Sequence, residues 1–259
     1  MKTKLFALAL AGALSTSGAM AATYSFGGTG PLDADGGAVN TVGDVLDMIA
    51  VDNDSSVRYD DYMSDGSDSY WAVTGSGGSS STMIIELAGF AGSNEFGVYN
   101  RQAPHERVEL FAGADSAGDQ AHLSIKADGS VHVNFSDTGV DFGSNAFGFY
   151  LDSSASVGGG IWYSDSSMNV DGKDHMAAYQ GDDSEVVEVG GNAAGLWTDN
   201  EFVLAFEDLN CNTGCDGDMT DFMVMVESVN PVSTPGSLAL LGLGLGLLGA
   251  TARRKAKRA

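Results

Sequence analysis

The chain has 259 residues, 43% of them hydrophobic and 18% charged, with 35 acidic side chains against 12 basic ones and a formal net charge of −23. All 35 acids lie between residues 22 and 234, where only Arg58, Arg101, Arg107, Lys126 and Lys173 oppose them, so this body carries about −30. Such self-repulsion keeps the body soluble, excludes nucleic acid and anionic lipid as its partners, and invites divalent cations.

In chain order, residues 1–21 read as a signal peptide. Lys2 and Lys4 form the positive start, Leu5 to Leu14 the apolar run, and Ala19-Met20-Ala21 the small-residue cleavage site. The pattern predicts an exported protein cut after Ala21. Val42, Val45, Leu46 and Ile49 then fall on one helical face, with Thr41 and Asp44 resembling a capping box, which predicts a helix over 41–49. Ser76–Ser81 reads as a linker or a long turn.

The rest of the body reads as strands. Short apolar or alternating runs recur between Gly, Asp, Ser and Asn at 83–88, 95–99, 107–111, 122–126, 130–135, 146–151, 160–163, 175–179, 201–206 and 221–227. Their length and spacing predict an all-β body, a β-sandwich or jelly roll, flanked by an N-terminal signal helix and a C-terminal transmembrane-like helix. Asp128-Gly129 predicts a hairpin turn in which both residues take positive φ. Trp71, Trp162 and Trp197 are candidates either for the core or for stacking on sugar rings.

The densest chemistry lies at 207–221. Glu207, Asp208, Asn210, Asn212, Asp216, Asp218 and Asp221 offer oxygen atoms in a loop of the composition that calcium favours. Asp208, Asn210 and Asn212 have EF-hand spacing, but Thr213 stands where the glycine belongs and Met219 where the closing glutamate belongs. A calcium loop of another type is the expectation, with Asp208, Asn210, Asn212, Asp216, Asp218 and Asp221 as ligands. Cys211 and Cys215 are expected to form a local disulfide, since an exported chain meets oxidising conditions. A weaker acidic patch collects Asp52, Asp54, Asp60, Asp61, Asp65 and Asp68. No Gly-x-Ser-x-Gly elbow, His-Glu-x-x-His helix or phosphate loop occurs, so no enzyme activity is expected.

At the C-terminus, Gly236 to Ala252 is an uncharged run rich in Leu and Gly, followed by Arg253-Arg254-Lys255 and further basic residues. Seventeen residues of helix would cover about 25 Å, a short membrane span with the basic cluster on the cytoplasmic side. From Pro235 through Lys255 this tail resembles a PEP-CTERM sorting domain, although Ser233-Thr234-Pro235-Gly236 replaces the usual Pro-Glu-Pro. The resemblance implies recognition by an exosortase-type membrane protease in an exopolysaccharide-forming Gram-negative bacterium, with transient or retained anchoring in the inner membrane. Residues 85–230 in turn resemble domain of unknown function 4114. The likeness lies in Phe147–Asp152, Trp162–Asp165, Asp174–Gly181, Val203–Leu209 and Asp216–Val224. Met219-Thr220 stands where that family has Tyr-Asn. This resemblance implies an all-β surface or matrix protein. The division is then 1–21 signal, 22–84 start of the β body, 85–230 the family-like domain and 231–259 the sorting segment. The combined expectation is a structural or adhesive protein of the cell surface or matrix, in contact with exopolysaccharide. A carbohydrate-binding module is the alternative.

Overall fold

The computed structural model describes residues 41–74, 77–85 and 92–232, without the side chains of 79–85. The signal peptide and the tail residues Pro235, Gly236, Arg253, Arg254 and Lys255 lie outside the described residues. Among the described residues, no helix is long and apolar enough to cross a membrane.

Helix α1 is Val42–Ile49 and α2 is the single turn Asp65–Asp68. The strands follow as β1 Trp71–Val73, β2 Gly78–Ile85, β3 Glu95–Asn100, β4 Ala103–Phe111, β5 Gln120–Ile125, β6 Ser130–Val133, β7 Ser136–Asp141 and β8 Ala146–Asp152. Then come β9 Ile161–Tyr163, β10 Met176–Gln180, β11 Val186–Val187, β12 Gly195–Leu196, β13 Glu201–Phe206, β14 Phe222–Glu227 and β15 Val229–Pro231. The expected all-β character is present, and every strand pair is antiparallel.

Two sheets enclose one core. The first runs β15-β1-β8-β3-β4, with β9 also paired to β8. The second runs β10-β13-β14-β2-β5-β6-β7. Period-two alternation sends Phe147, Phe149 and Leu151 of β8 and Phe202, Leu204 and Phe206 of β13 into the space between the sheets. Phe96 lies 5.7 Å from Phe149 within its own sheet and 4.9 Å from Phe222 across the gap, both stacked. Trp71, Trp162 and Trp197 are all fully buried, so none is a sugar platform.

A third layer covers part of the second sheet. Val42, Val45, Leu46 and Ile49 of α1 pack with Tyr179, Trp197, Val203, Ala205, Met223 and Met225 on its outer face. Strands β13 and β14 are therefore buried on both faces, which explains their unbroken apolar runs. Thr41 caps α1 through its hydroxyl, which accepts from the Asp44 N–H at 3.2 Å and donates to the Asp44 carboxylate at 2.8 Å.

Two local expectations change. Residues 78–81 are no linker: β2 sits inside the second sheet, with β14 on one edge and β5 on the other. Its backbone groups are paired on both sides, and that outweighs the low strand preference of Gly and Ser. At the β5–β6 hairpin only Gly129 takes positive φ, at 94°. Lys126 accepts the Gly129 N–H at 2.9 Å, a type I turn closed by a left-handed glycine. The sequence reading passes over β1, β7, β11, β12 and β15, which are two or three residues long or, in β7, almost wholly polar.

Gly148 leaves room for the Tyr99 ring, which packs with Tyr70 and Tyr150 on the outer side of the first sheet. A Cβ there would run into the buried Tyr99 ring. Gly148→Ala is expected to cost about 2–3 kcal/mol, the scale of overpacking a filled core. Denaturant unfolding measures it, and an unchanged midpoint would show that Tyr99 can move aside.

A candidate cation centre at the β13–β14 loop

Phe206 and Phe222 face each other across the β13–β14 ladder, so the loop 207–221 leaves and re-enters the sheet at one rung. Its length is folded back on itself by local bonds. Cys211 and Cys215 form a disulfide with Cα atoms 4.6 Å apart. The Asn210 carbonyl accepts the N–H groups of Thr213 and Gly214, and its side chain accepts that of Asn212 at 2.9 Å. Asn210 and Asn212 thus shape the turn. Met219, at φ 57°, plugs the loop into the cluster beneath α1. Thr220 then bonds Asp218 through both its N–H and its hydroxyl.

This folding gathers carboxylates. Oxygen atoms of Asp216, Asp218 and Asp221 come within 4.8 Å of one another, and so do those of Glu207, Asp208 and Asp221. Glu207 is fully buried. Its two oxygens accept the N–H groups of Leu209 at 3.0 Å and Gly217 at 2.8 Å. Asp221 accepts the Asp208 N–H at 3.0 Å. Asp171, His175 and Cys211 also meet, as do Glu207, Cys211 and Cys215, but the disulfide has consumed both thiolates.

Among the described residues, no Lys or Arg pairs with the cluster. The ion pairs among the described residues are Arg107–Asp152 and His175–Asp171, neither of which involves a clustered carboxylate. Burial first, then the charge of Asp221, pushes Glu207 up. Burial first, then Asp208, pushes Asp221 up. Asp208 and Asp218 are raised, again chiefly by burial. Each shift reflects burial of the carboxylates and the like charge of their neighbours.

The floor of the loop is rigid. His175 is fully buried and stacks on Trp162 with ring centroids 3.8 Å apart. Its Nδ1 lies 3.0 Å from the Glu207 carbonyl and its Nε2 2.9 Å from Asp171. Both ring nitrogens are therefore engaged within the protein. Asp171 in turn accepts the Cys211 N–H at 2.9 Å, tying the disulfide to the imidazole. Burial opposes the Asp171 charge, but the bonds from His175, Lys173 and Cys211 hold its carboxyl below the usual range. Trp162 and Ser153 both donate to the Asp208 carbonyl. His175 is therefore an anchor of the loop, with no ring nitrogen left to act as a base.

The sequence reading missed Asn94. This residue precedes β3, is 3% exposed, and donates through Nδ2 to Asp208 at 3.0 Å. It lies 114 residues from Asp208 in sequence, where no local pattern points to it. Of the remaining residues, Asp165 accepts from the Tyr70 hydroxyl at 2.6 Å. His122 stacks on Phe135, and His132 lies beside Ser130. The weaker acidic patch does not gather at one point: Asp52 and Asp54 are exposed, whereas Asp68 is 1% exposed. Comparison of the chain with family models, with curated proteins and with solved structures finds no match.

Asp68 and Asp174 are two further buried acids outside the loop. Burial and the Asp174 charge raise Asp68 well above the carboxylate range, and burial raises Asp174 to about 8. A raised folded-state pKa favours folding fully below the unfolded value near 4, and that contribution is lost as pH rises toward 8. The unfolding midpoint in chelator is thus expected to fall between pH 4 and pH 8. Asp174→Asn is expected to raise it at pH 8 by at least about 2 °C and to leave it unchanged at pH 4. An equal effect at both pH values would refute the titration of Asp174.

Proposed function

We propose that this protein is an exported, non-enzymatic component of the cell surface or exopolysaccharide matrix of a Gram-negative bacterium. Its jelly-roll-like body has a structural or adhesive role and is locked by calcium at the β13–β14 loop. The observation that carries the reading is the convergence of Glu207, Asp208, Asp216, Asp218 and Asp221 with no Lys or Arg among the described residues paired to them. A hard divalent cation with six to eight oxygen ligands fits that donor set, and calcium is the one abundant outside cells. Bound there, it would supply the missing positive charge and close the loop. The tail residues Pro235, Gly236, Arg253, Arg254 and Lys255 support delivery by an exosortase-type protease through a transient or retained membrane anchor.

Thermal unfolding of the full chain tests the calcium step, with detergent present to accommodate the apolar tail. Millimolar calcium is expected to raise the midpoint by at least about 5 °C over chelator, because only the folded loop binds it. Asp221→Ala, which deletes the carboxylate common to both acidic groups, is expected to remove most of the rise. No shift in the wild type would sink the reading.

A second reading, carbohydrate binding, draws on one feature. Phe135 is 83% exposed at the β6–β7 turn and stacks on His122 with ring centroids 4.8 Å apart. Asn134 and Phe135 take φ of 49° and 66°, a strained pair of positions that Asn-Gly would fill at lower cost. Phe135→Gly is expected to stabilise the fold by roughly 0.5–1 kcal/mol. If the ring serves as a sugar platform, the same change abolishes retention on immobilised exopolysaccharide. Unchanged retention would remove this second reading.

A further inference from the structure

We propose that the β13–β14 loop holds two divalent cations that share Asp221, and that Asn94 is a ligand of the inner one. The inference rests on the calcium reading above and adds to it a second ion and a ligand from the opposite sheet.

The carboxylates divide by distance. Ligand oxygens around one calcium ion lie about 2.4 Å from it, so no two are more than about 4.8 Å apart. Glu207 and Asp208 meet that limit with Asp221, and Asp216 and Asp218 meet it with Asp221, but the five do not form one group. Two centres follow, joined at the single carboxylate common to both. The inner group is formed by buried Glu207 and Asp208 with half-buried Asp221. The outer group includes exposed Asp216.

Asn94 provides the independent observation. Its side chain is almost wholly buried and its Nδ2 is spent on Asp208. Its Oδ1 is buried with no hydrogen-bond partner. A buried amide oxygen left so is costly unless something electropositive meets it. Both ends of the amide are bonded to one carbon, so this oxygen lies no more than about 5 Å from the Asp208 oxygen that Nδ2 touches. Side-chain amide oxygens are regular calcium ligands. An inner ion touching Asp208 satisfies Asn94 and the buried carboxylates together.

The two ions then have different tasks. Asn94 adjoins β3 of the first sheet, whereas Glu207, Asp208 and Asp221 adjoin β13 and β14 of the second. The inner ion is a clamp between sheets. The outer ion closes only the loop and exchanges with solvent.

Calorimetric titration of the full chain in detergent with calcium chloride, after chelator treatment, counts the ions. Two per chain are expected for the wild type, one for Asn94→Ala, one for Asp216→Ala/Asp218→Ala and none for Asp221→Ala. Asn94→Asp keeps the oxygen and adds charge, so it is expected to hold both ions, the inner one at least about threefold tighter. This variant guards against misfolding of the alanine form, and inner binding no tighter than wild type would overturn the role of Asn94. One ion per wild-type chain, or two in Asn94→Ala, would overturn the inference and leave the calcium reading standing. No ion in the wild type would overturn both.

Discussion

The contact on which the rest depends is the aromatic clasp of Phe96, Phe206 and Phe222. Phe96 comes from the first sheet, and its ring lies 4.9 Å from Phe222 and 5.7 Å from Phe206, both in the second. Each such pair adds about 0.5–1.5 kcal/mol beyond the area it buries. The clasp also fixes position, because each ring lies one or two residues from a group of the acidic loop. Phe96 follows Asn94 by two, Phe206 precedes Glu207, and Phe222 follows Asp221. Joining the sheets at this end therefore brings Asn94, beside the first sheet, into hydrogen-bond contact with Asp208, beside the second.

The loop is held from its other side by the outer layer. Met219 is buried among the side chains under α1, at a backbone angle that costs a non-glycine residue some strain. That anchor sets the curvature between Asp218 and Asp221. Helix α1 is thus more than a cover for the second sheet: it closes the pocket that receives the plug. The segment before residue 85 contributes α1, β1 and β2 to all three layers, so the body draws its sheets from both sides of that point.

Charge follows the same plan. The body tolerates about −30 because most acids are solvated, and the basic residues stabilise other parts of the fold. Arg107 pairs with Asp152 at 2.9 Å and lies over the Tyr150 ring, and Arg101 lies over Tyr70. Beneath the loop lies the hydrogen-bonded His175–Asp171 pair. That pair holds the Glu207 carbonyl and the Cys211 N–H, which orients the loop without neutralising its clustered carboxylates.

Much was legible in the sequence alone. The apolar runs became strands wherever the structure describes them, because alternation or continuous burial leaves a period that single residues reveal. The helix at 41–49 was legible for the same reason, with a cap written in Thr41 and Asp44. The acids of 207–221 were legible as a local cluster, since their spacing survives in the loop. Tertiary structure decided what local order does not encode. The Gly/Ser stretch at 78–81 is strand because its two neighbours lie far away in the chain. The three tryptophans are core because both faces of their surroundings are covered, which no spacing reveals. Asn94 joins the acidic loop through a contact across 114 residues, and Asp221 stands between two carboxylate groups because the β13–β14 rung brings the loop ends together. Composition and periodicity determined which groups are available, and the closure of two sheets over one aromatic clasp determined which of them meet.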